Sequence, residues 1–184
     1  FPIKLSVFLF LDNKSIAPTS ITTNIKKPKI ALISTGDELV PVSEKPLGHQ
    51  IRLSNTHALR AELELRGHKD VELFHLNDDP ESLFDNFKNV LEDYDLVLIT
   101  GGVSKGKFDY VPSILSDLGV QKIFHKIKQR PGKPMWFGKH PKGSFVFGLP
   151  GNPVSCIVCL RRYVIPFIEE SWIEDEKEKV ILKE

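Results

Sequence analysis

The sequence has little of what announces several common kinds of protein, and each shortage excludes something. Cysteine is scarce: Cys156 and Cys159 are the only two, spaced C-x-x-C inside an apolar run. A zinc site needs two further ligands at compatible spacing, and no second cysteine pair supplies them. A redox dithiol sits at the entrance of a helix, whereas this pair lies well inside an expected one. Two buried, reduced thiols are the expectation, in keeping with a cytoplasmic protein. Neither sign of charge is in excess. The formal net charge is +1, so bulk electrostatics point to neither nucleic acid nor a membrane surface.

Long apolar runs are missing too. Ile3 to Leu11 is short and broken by Lys4 and Ser6, and Val154 to Ile168 is interrupted by Arg161 and Arg162. Neither fits the about 20 residues that a membrane-spanning helix needs. The first stretch has no charged leader before it and no small-residue cleavage site after it, which argues against a signal peptide. It reads as a remnant of something larger. The usual catalytic signatures are also absent: there is no G-x-x-x-x-G-K-[ST] loop, no G-x-G-x-x-G fingerprint, no Ser-His-Asp order and no His-Glu-x-x-His spacing. His57 and His75 read as structural. No internal repeat or low-complexity tract is visible.

What is present is the pattern of one α/β domain, and 184 residues suffice for a single real core. From Lys29 onward short apolar runs alternate with amphipathic stretches, the signature of βαβ units and a mostly parallel sheet. Strands are expected at Ile30–Ser34, Val71–His75, Leu96–Thr100, Val120–Ile127, Met135–Phe137 and Phe145–Phe147. Helices are expected from Ser54, as cap, to Arg66; from Asp79, as cap, with Pro80 in its first turn; around Pro112 to Leu118; and from Pro153 to Ser171. Leu83, Phe84, Phe87, Val90 and Leu91 mark the apolar face of the second. Pro166 should kink the last helix or mark its final turns.

Three glycine-containing loops follow expected strands: Ser34-Thr35-Gly36-Asp37-Glu38, Gly101-Gly102-Val103-Ser104-Lys105-Gly106 and Gly148-Leu149-Pro150-Gly151-Asn152-Pro153. In an open parallel sheet ligands bind at this edge. Glycines there let backbone N–H groups approach a phosphate, and Ser34, Thr35, Ser104, Asn152 and Ser155 add side-chain donors. Asp37, Glu38, Asp78, Asp79 and Asp109 fall on the same edge. Carboxylates beside a phosphate site suit Mg²⁺. Asp79 and Asp109 also suit helix caps, whereas Glu38 has no capping role. Arg130 and Lys133 flank a Pro-Gly turn that can clamp an oxyanion, or else serve only as an exposed basic hairpin with Lys126 and Lys128.

Five ordered motifs make the loops specific: Ser34-Thr35-Gly36-Asp37-Glu38-Leu39, Asn77-Asp78-Asp79-Pro80, Gly101-Gly102-Val103-Ser104-x-Gly106-x-x-Asp109-Tyr110, Pro131-Gly132-Lys133-Pro134 and Gly148-Leu149-Pro150-Gly151-Asn152-Pro153-Val154-Ser155. From about Lys29 to Glu170 the chain resembles the molybdopterin molybdenumtransferase family, which includes the C-terminal part of gephyrin. The Gly-Gly-Val-Ser form is unlike the Gly-Gly-Thr-Gly of the related molybdopterin adenylyltransferases. The resemblance implies a three-layer αβα molybdopterin-binding domain over residues 29–171, an unrelated remnant or linker over 1–28, and a charged linker over 172–184 toward a C-terminal β domain. It implies insertion of molybdate into adenylylated molybdopterin with release of AMP and a requirement for Mg²⁺. It also implies a homodimeric parent and contact with an adenylyltransferase partner.

By the same resemblance Glu38, Asp78 and Asp109 are the catalytic acids, with Glu38 and Asp109 on the metal. Arg130, Lys133, Pro134 and Ser155 match the molybdate pocket. Thr35, Gly36, Asp37, Gly101, Gly102, Ser104, Gly106, Gly151 and Asn152 line the pterin phosphate. Two residues depart from the family's pattern: Arg130 stands where Lys is common, and Lys105 where an apolar residue is common. A non-catalytic binding or scaffold module and an adenylyltransferase-like enzyme are the alternatives.

Overall fold

The structure is a computed structural model that describes residues 27–102 and 110–172. The expected N-terminal remnant, the charge run from Glu174, and Ser104, Gly106 and Asp109 lie outside the described residues. In chain order the strands are β1 (Ile30–Thr35), β2 (Leu39–Val40), β3 (Ile51–Arg52), β4 (Val71–Leu76), β5 (Leu96–Thr100), β6 (Gln121–His125), β7 (Trp136–Lys139) and β8 (Phe145–Leu149). The helices are α1 (Asn55–Leu65), α2 (Pro80–Asp93), α3 (Val111–Asp117) and α4 (Pro153–Cys159). A π turn at Leu160–Val164 carries α4 into a final helical stretch at 165–172.

Six strands form one sheet in the order β4-β1-β5-β8-β7-β6, and β2 and β3 pair separately. Pairs β1–β4, β1–β5 and β5–β8 are parallel, while β7 runs antiparallel to both β8 and β6. Strand β1 is buried along its whole length, as is β5, which is why both read as continuous apolar runs. The two-residue period of a strand sends their side chains to opposite faces. Ile30, Leu32, Leu96 and Leu98 pack with Leu59 and Leu63 of α1 and with Cys156, Cys159 and Leu160 of the α4 segment. Ala31, Ile33, Val97 and Ile99 pack with Leu83, Phe87 and Leu91 of α2 and with Ile114 and Leu115 of α3. Two cores, one on each face of a mostly parallel sheet, make the expected three-layer αβα architecture.

Chain direction explains which helix covers which face. From β1 the chain crosses to β4 on one side; from β4 it crosses back over β1 to β5 on the other. Parallel crossovers are right-handed as a rule, so reversing the direction moves the helix to the opposite face. Strand β8, made last, slots between β5 and β7. The antiparallel end is filled by aromatic rings: Phe137 packs at a tilt against Phe147 with 4.3 Å between centroids, and Phe167 meets Phe145 edge-on at 4.8 Å. Helix α1 is tied to the π turn after α4 by Glu62, which accepts from Arg161 Nε and Nη2 at 2.9 and 2.8 Å and also pairs with Arg66. The hydrogen bond from Arg161 holds the Glu62 carboxyl below its ordinary range.

Several local expectations need correction. Ser54 occupies the N-cap position of α1 but in a helical conformation, so its hydroxyl makes no capping bond. Helix α3 starts at Val111 with Tyr110 as N-cap and no capping side-chain bond, and the cap expected at Asp109 lies outside the described residues. Strand β6 ends at His125 because Lys126 takes φ 70° and turns the chain, its N–H bonding Met135 O at 2.7 Å. Phe84 is 37% exposed, at the rim of α2's apolar face. In the α4 segment the disturbance precedes Pro166 as the π turn at Leu160–Val164. Proline has no N–H and crowds the carbonyl four residues back, here Arg162, and the wider turn relieves that crowding. Asp79 does cap α2, accepting from Ser82 N at 2.8 Å, with Pro80 in the first turn. Both cysteines are buried and free, and burial pushes Cys156 up to about 12 and Cys159 to about 11.

Candidate functional site

The C-terminal ends of β1, β4, β5 and β8 point the same way, so the loops that follow them share one edge of the sheet. The loop after β1 leads to α1 on one face, whereas the loop after β5 leads to α3 on the other. A crevice opens where neighbouring loops diverge, the usual ligand position in open α/β sheets. Here the backbones approach closely. Gly101 has φ 92°, and a side-chain carbon on it would lie 2.5 Å from Thr35 O. Gly102 has φ 58°, and such a carbon would lie 2.8 Å from Thr35 Oγ1. Only glycine fits both the conformation and the space. Thr35 is 2% exposed, and its hydroxyl has no partner among the described residues. A buried hydroxyl without a partner is costly, and this one lies where the loops after β1 and β5 meet.

Two carboxylate loops meet at this edge. Asp37 Oδ1 accepts from the Asp78 N–H at 3.1 Å, which ties the β1 loop to the β4 loop. Glu38 is exposed, and its carboxylate folds back over Gly36, where a side-chain carbon would come within 2.5 Å of Oε2. Among the described residues no three Asp, Glu, His or Cys side chains gather closely enough to hold a metal ion. The expected catalytic acids thus fall into two groups: Glu38 and Asp78 on adjacent loops, and Asp109 outside the described residues.

The basic turn lies on the same edge. Trp136 at the start of β7 pairs with Gly148 near the end of β8, and His125 at the end of β6 pairs with Trp136. The turn between β6 and β7 therefore emerges beside the loop that carries Gly151. It is closed by Ile127 N–H to Lys133 O at 2.9 Å and by Met135 N–H to Gly132 O at 3.3 Å. Arg130 and Lys133 are exposed and form no ion pair among the described residues, while Pro134 is half-buried. At the head of α4, Asn152 Oδ1 accepts from Ser155 N at 3.1 Å and from Ser155 Oγ at 3.2 Å. This N-cap uses the Ser155 hydroxyl proton internally. It leaves the Asn152 amide nitrogen and the Ser155 lone pairs.

Asn55 was not singled out from the sequence. Its Nδ2 donates to Gly151 O at 2.8 Å, tying the head of α1 to the loop before α4, while its Oδ1 is buried without a partner among the described residues. The only local signal is an Asn following Ser54 at a helix start, where Ser54 already explains the boundary. His75 Nδ1 meets Ser34 Oγ at 3.3 Å, and Ser34 Oγ also donates to Phe74 O at 3.2 Å. Ser34 therefore serves the sheet and is buried away from the crevice.

Residues 31–170 match the family model described as a probable molybdopterin binding domain. Over 141 residues the chain is 48% identical to a molybdopterin molybdenumtransferase of Synechocystis, covering 76% of this chain and 36% of that one. A solved molybdopterin biosynthesis MoeA protein from Pyrococcus horikosii is 34% identical, with a TM-score of 0.64 over 79% of this chain and 36% of that one. A molybdenum cofactor biosynthesis protein B shares the fold, at 18% identity and a TM-score of 0.62 over 84% of this chain and 99% of that one. The chain spans about a third of the length of the curated relatives it matches. Among the described residues no helix is long and apolar enough to cross a membrane.

Proposed function

The chain belongs to the molybdopterin-binding domain family, and from that premise we propose that it acts in molybdenum cofactor biosynthesis, inserting molybdate into adenylylated molybdopterin with release of AMP. One observation supports this most: strand polarity brings the Arg130–Lys133 turn to the edge that carries Gly101 and Gly151. A dianionic metalate and a phosphoanhydride need N–H donors and cations in one place, and these loops offer both. In this reading the glycine backbones of Gly36, Gly101, Gly102 and Gly151, with Thr35, Asp37 and Asn152, cradle the pterin phosphate and adenylate. Ser104 and Gly106 extend the cradle by their place in the motif. Arg130, Lys133, Pro134 and Ser155 take molybdate, with Arg130 offering a planar fork of donors.

The carboxylates are of the right chemical kind for Mg²⁺, which takes oxygen ligands and keeps several waters and substrate oxygens. Asp37 already accepts from Asp78 N–H, so Glu38 and Asp109 are the proposed protein ligands, with Asp78 beside them. A metal held there supplies charge neutralisation and polarisation of the phosphoryl group. The remaining site groups bind and orient.

The test uses the 184-residue chain with adenylylated molybdopterin, molybdate and Mg²⁺. Release of AMP that needs all three supports the reading. Tight pterin binding with no AMP release at any molybdate concentration would replace it with a binding or scaffold role. Transfer of AMP from ATP to molybdopterin would replace it with adenylyltransferase chemistry. As further parts of the reading, the longer parent protein works as a homodimer in the cytoplasm and receives its substrate from an adenylyltransferase partner.

A further inference from the structure

The basic turn is held from below by contacts more specific than packing requires. Gln129 Nε2 donates to Pro131 O at 2.8 Å, and Gln129 Oε1 accepts from the Tyr163 hydroxyl. The Cys159 thiol donates to Gly132 O at 3.8 Å, and a side-chain carbon on Gly132 would sit 2.6 Å from that sulfur. Tyr163 lies within the π turn at Leu160–Val164, which is closed by Ile165 N–H to Leu160 O. Such turns are rare and occur frequently at functional sites. The head of the same helix carries Asn152 and Ser155. One continuous helical segment thus presents the Gly151 loop at its start and supports the Arg130–Lys133 turn further along.

Arg130 and Lys133 are long and exposed, without an ion pair among the described residues. With no such partner to hold either side chain, the backbone beneath them fixes only the points from which they reach. We propose that Gln129 and Tyr163 are positioning residues that lock this turn and so select among tetrahedral oxyanions by size. The inference rests on reading the turn as the oxyanion clamp. A locked backbone reduces the ordering that binding must cost, and a spacing matched to one anion disfavours a smaller one.

Titration calorimetry of the 184-residue chain with molybdate and with the smaller sulfate tests this. Tyr163→Phe keeps the ring and removes one hydroxyl. It should weaken molybdate about five- to tenfold, the effect of losing one hydrogen bond, while sulfate changes by less than about twofold, so the preference collapses. Gln129→Ala should do the same, and the double variant should be no worse than either single, because both break one chain of contacts. Lys133→Ala tests the underlying reading and should weaken both anions. If neither the wild-type chain nor its variants bind molybdate, or if Lys133→Ala binds as wild type does, the clamp reading falls and the latch with it. If Lys133→Ala loses binding while Tyr163→Phe and Gln129→Ala keep the wild-type preference, the latch alone is wrong. A lowered melting temperature with unchanged preference would likewise assign the pair to stability only.

Discussion

The two flanks of the sheet carry opposite charge. From Asp70 to Asp95, the span of β4 and α2, there are nine carboxylates and one cation, Lys88. From Leu118 to Ile168, the span of β6 to β8 and the α4 segment, there are nine cations and no carboxylate. The near-zero net charge conceals this division. The proposed site lies on the seam, where β1 and β5 separate an acidic flank from a basic one. On the proposed reading one site takes both a hard cation and a dianionic metalate, and such a layout favours that. Each ion meets its own partners first, and the like-charged groups of the other flank stay a strand or more away.

If the flanks divide the work in this way, substitutions should separate by side. The largest effect is expected at the proposed metal ligands. Asp109→Asn should lower Mg²⁺-dependent AMP release by at least about 100-fold, at the upper end of what disturbing a metal's ligand shell costs. Circular dichroism should stay unchanged, and an unaltered rate would remove Asp109 from the site.

Gly101→Ala probes the seam itself. The left-handed backbone and the clash with Thr35 O should cost about 1–3 kcal/mol in urea unfolding. Stability within error of wild type would show that the strand ends can separate freely. On the basic side Lys133→Ala should raise the molybdate KM about tenfold, one lost charge-assisted contact, with pterin affinity within about twofold. An equal fall in pterin affinity would make the turn a phosphate contact instead.

Within the acidic flank but outside the proposed ligands, Asp79→Ala should cost about 1 kcal/mol in the same unfolding assay, by removing the cap on α2, with no change in KM for either substrate.

The smallest effect concerns pH. Burial lowers the His68 pKa, so the folded protein favours the neutral ring, while the unfolded chain takes up a proton at the ordinary value of 6.5. The unfolded state thus binds more protons below that value. The contribution of His68 is complete above pH 6.5 and is lost as pH falls through the lower folded value. His68→Gln should flatten that part of the stability–pH curve, and a curve identical to wild type would assign the slope to other groups.

Legibility tracked the range of the interactions involved. Strands β1 and β5 were readable because both faces are buried and the apolar run is unbroken. The α2 boundary was readable because Asp79 and Pro80 act on their own neighbours. The pairing of β2 with β3 involves two residues each, too few to show any period. Pro166 announced a disturbance in the last helix but not the form it takes. The common edge of the glycine loops followed from strand polarity, whereas the contacts that shape that edge did not. Asn55 reaches Gly151 across 96 positions, and Tyr163 reaches Gln129 across 34. No local pattern encodes such meetings.

The late arrival of β8 between β5 and β7 has a consequence for assembly. Until residues 145–149 have been made and inserted, β5 lacks its second neighbour, and the β6–β7 hairpin has nothing to attach it to the parallel half. Gly101 and Lys133 then belong to separate pieces. Whatever occupies the crevice can therefore recognise only the finished molecule, and a bound ligand should stabilise it against global unfolding without rescuing a partly folded chain.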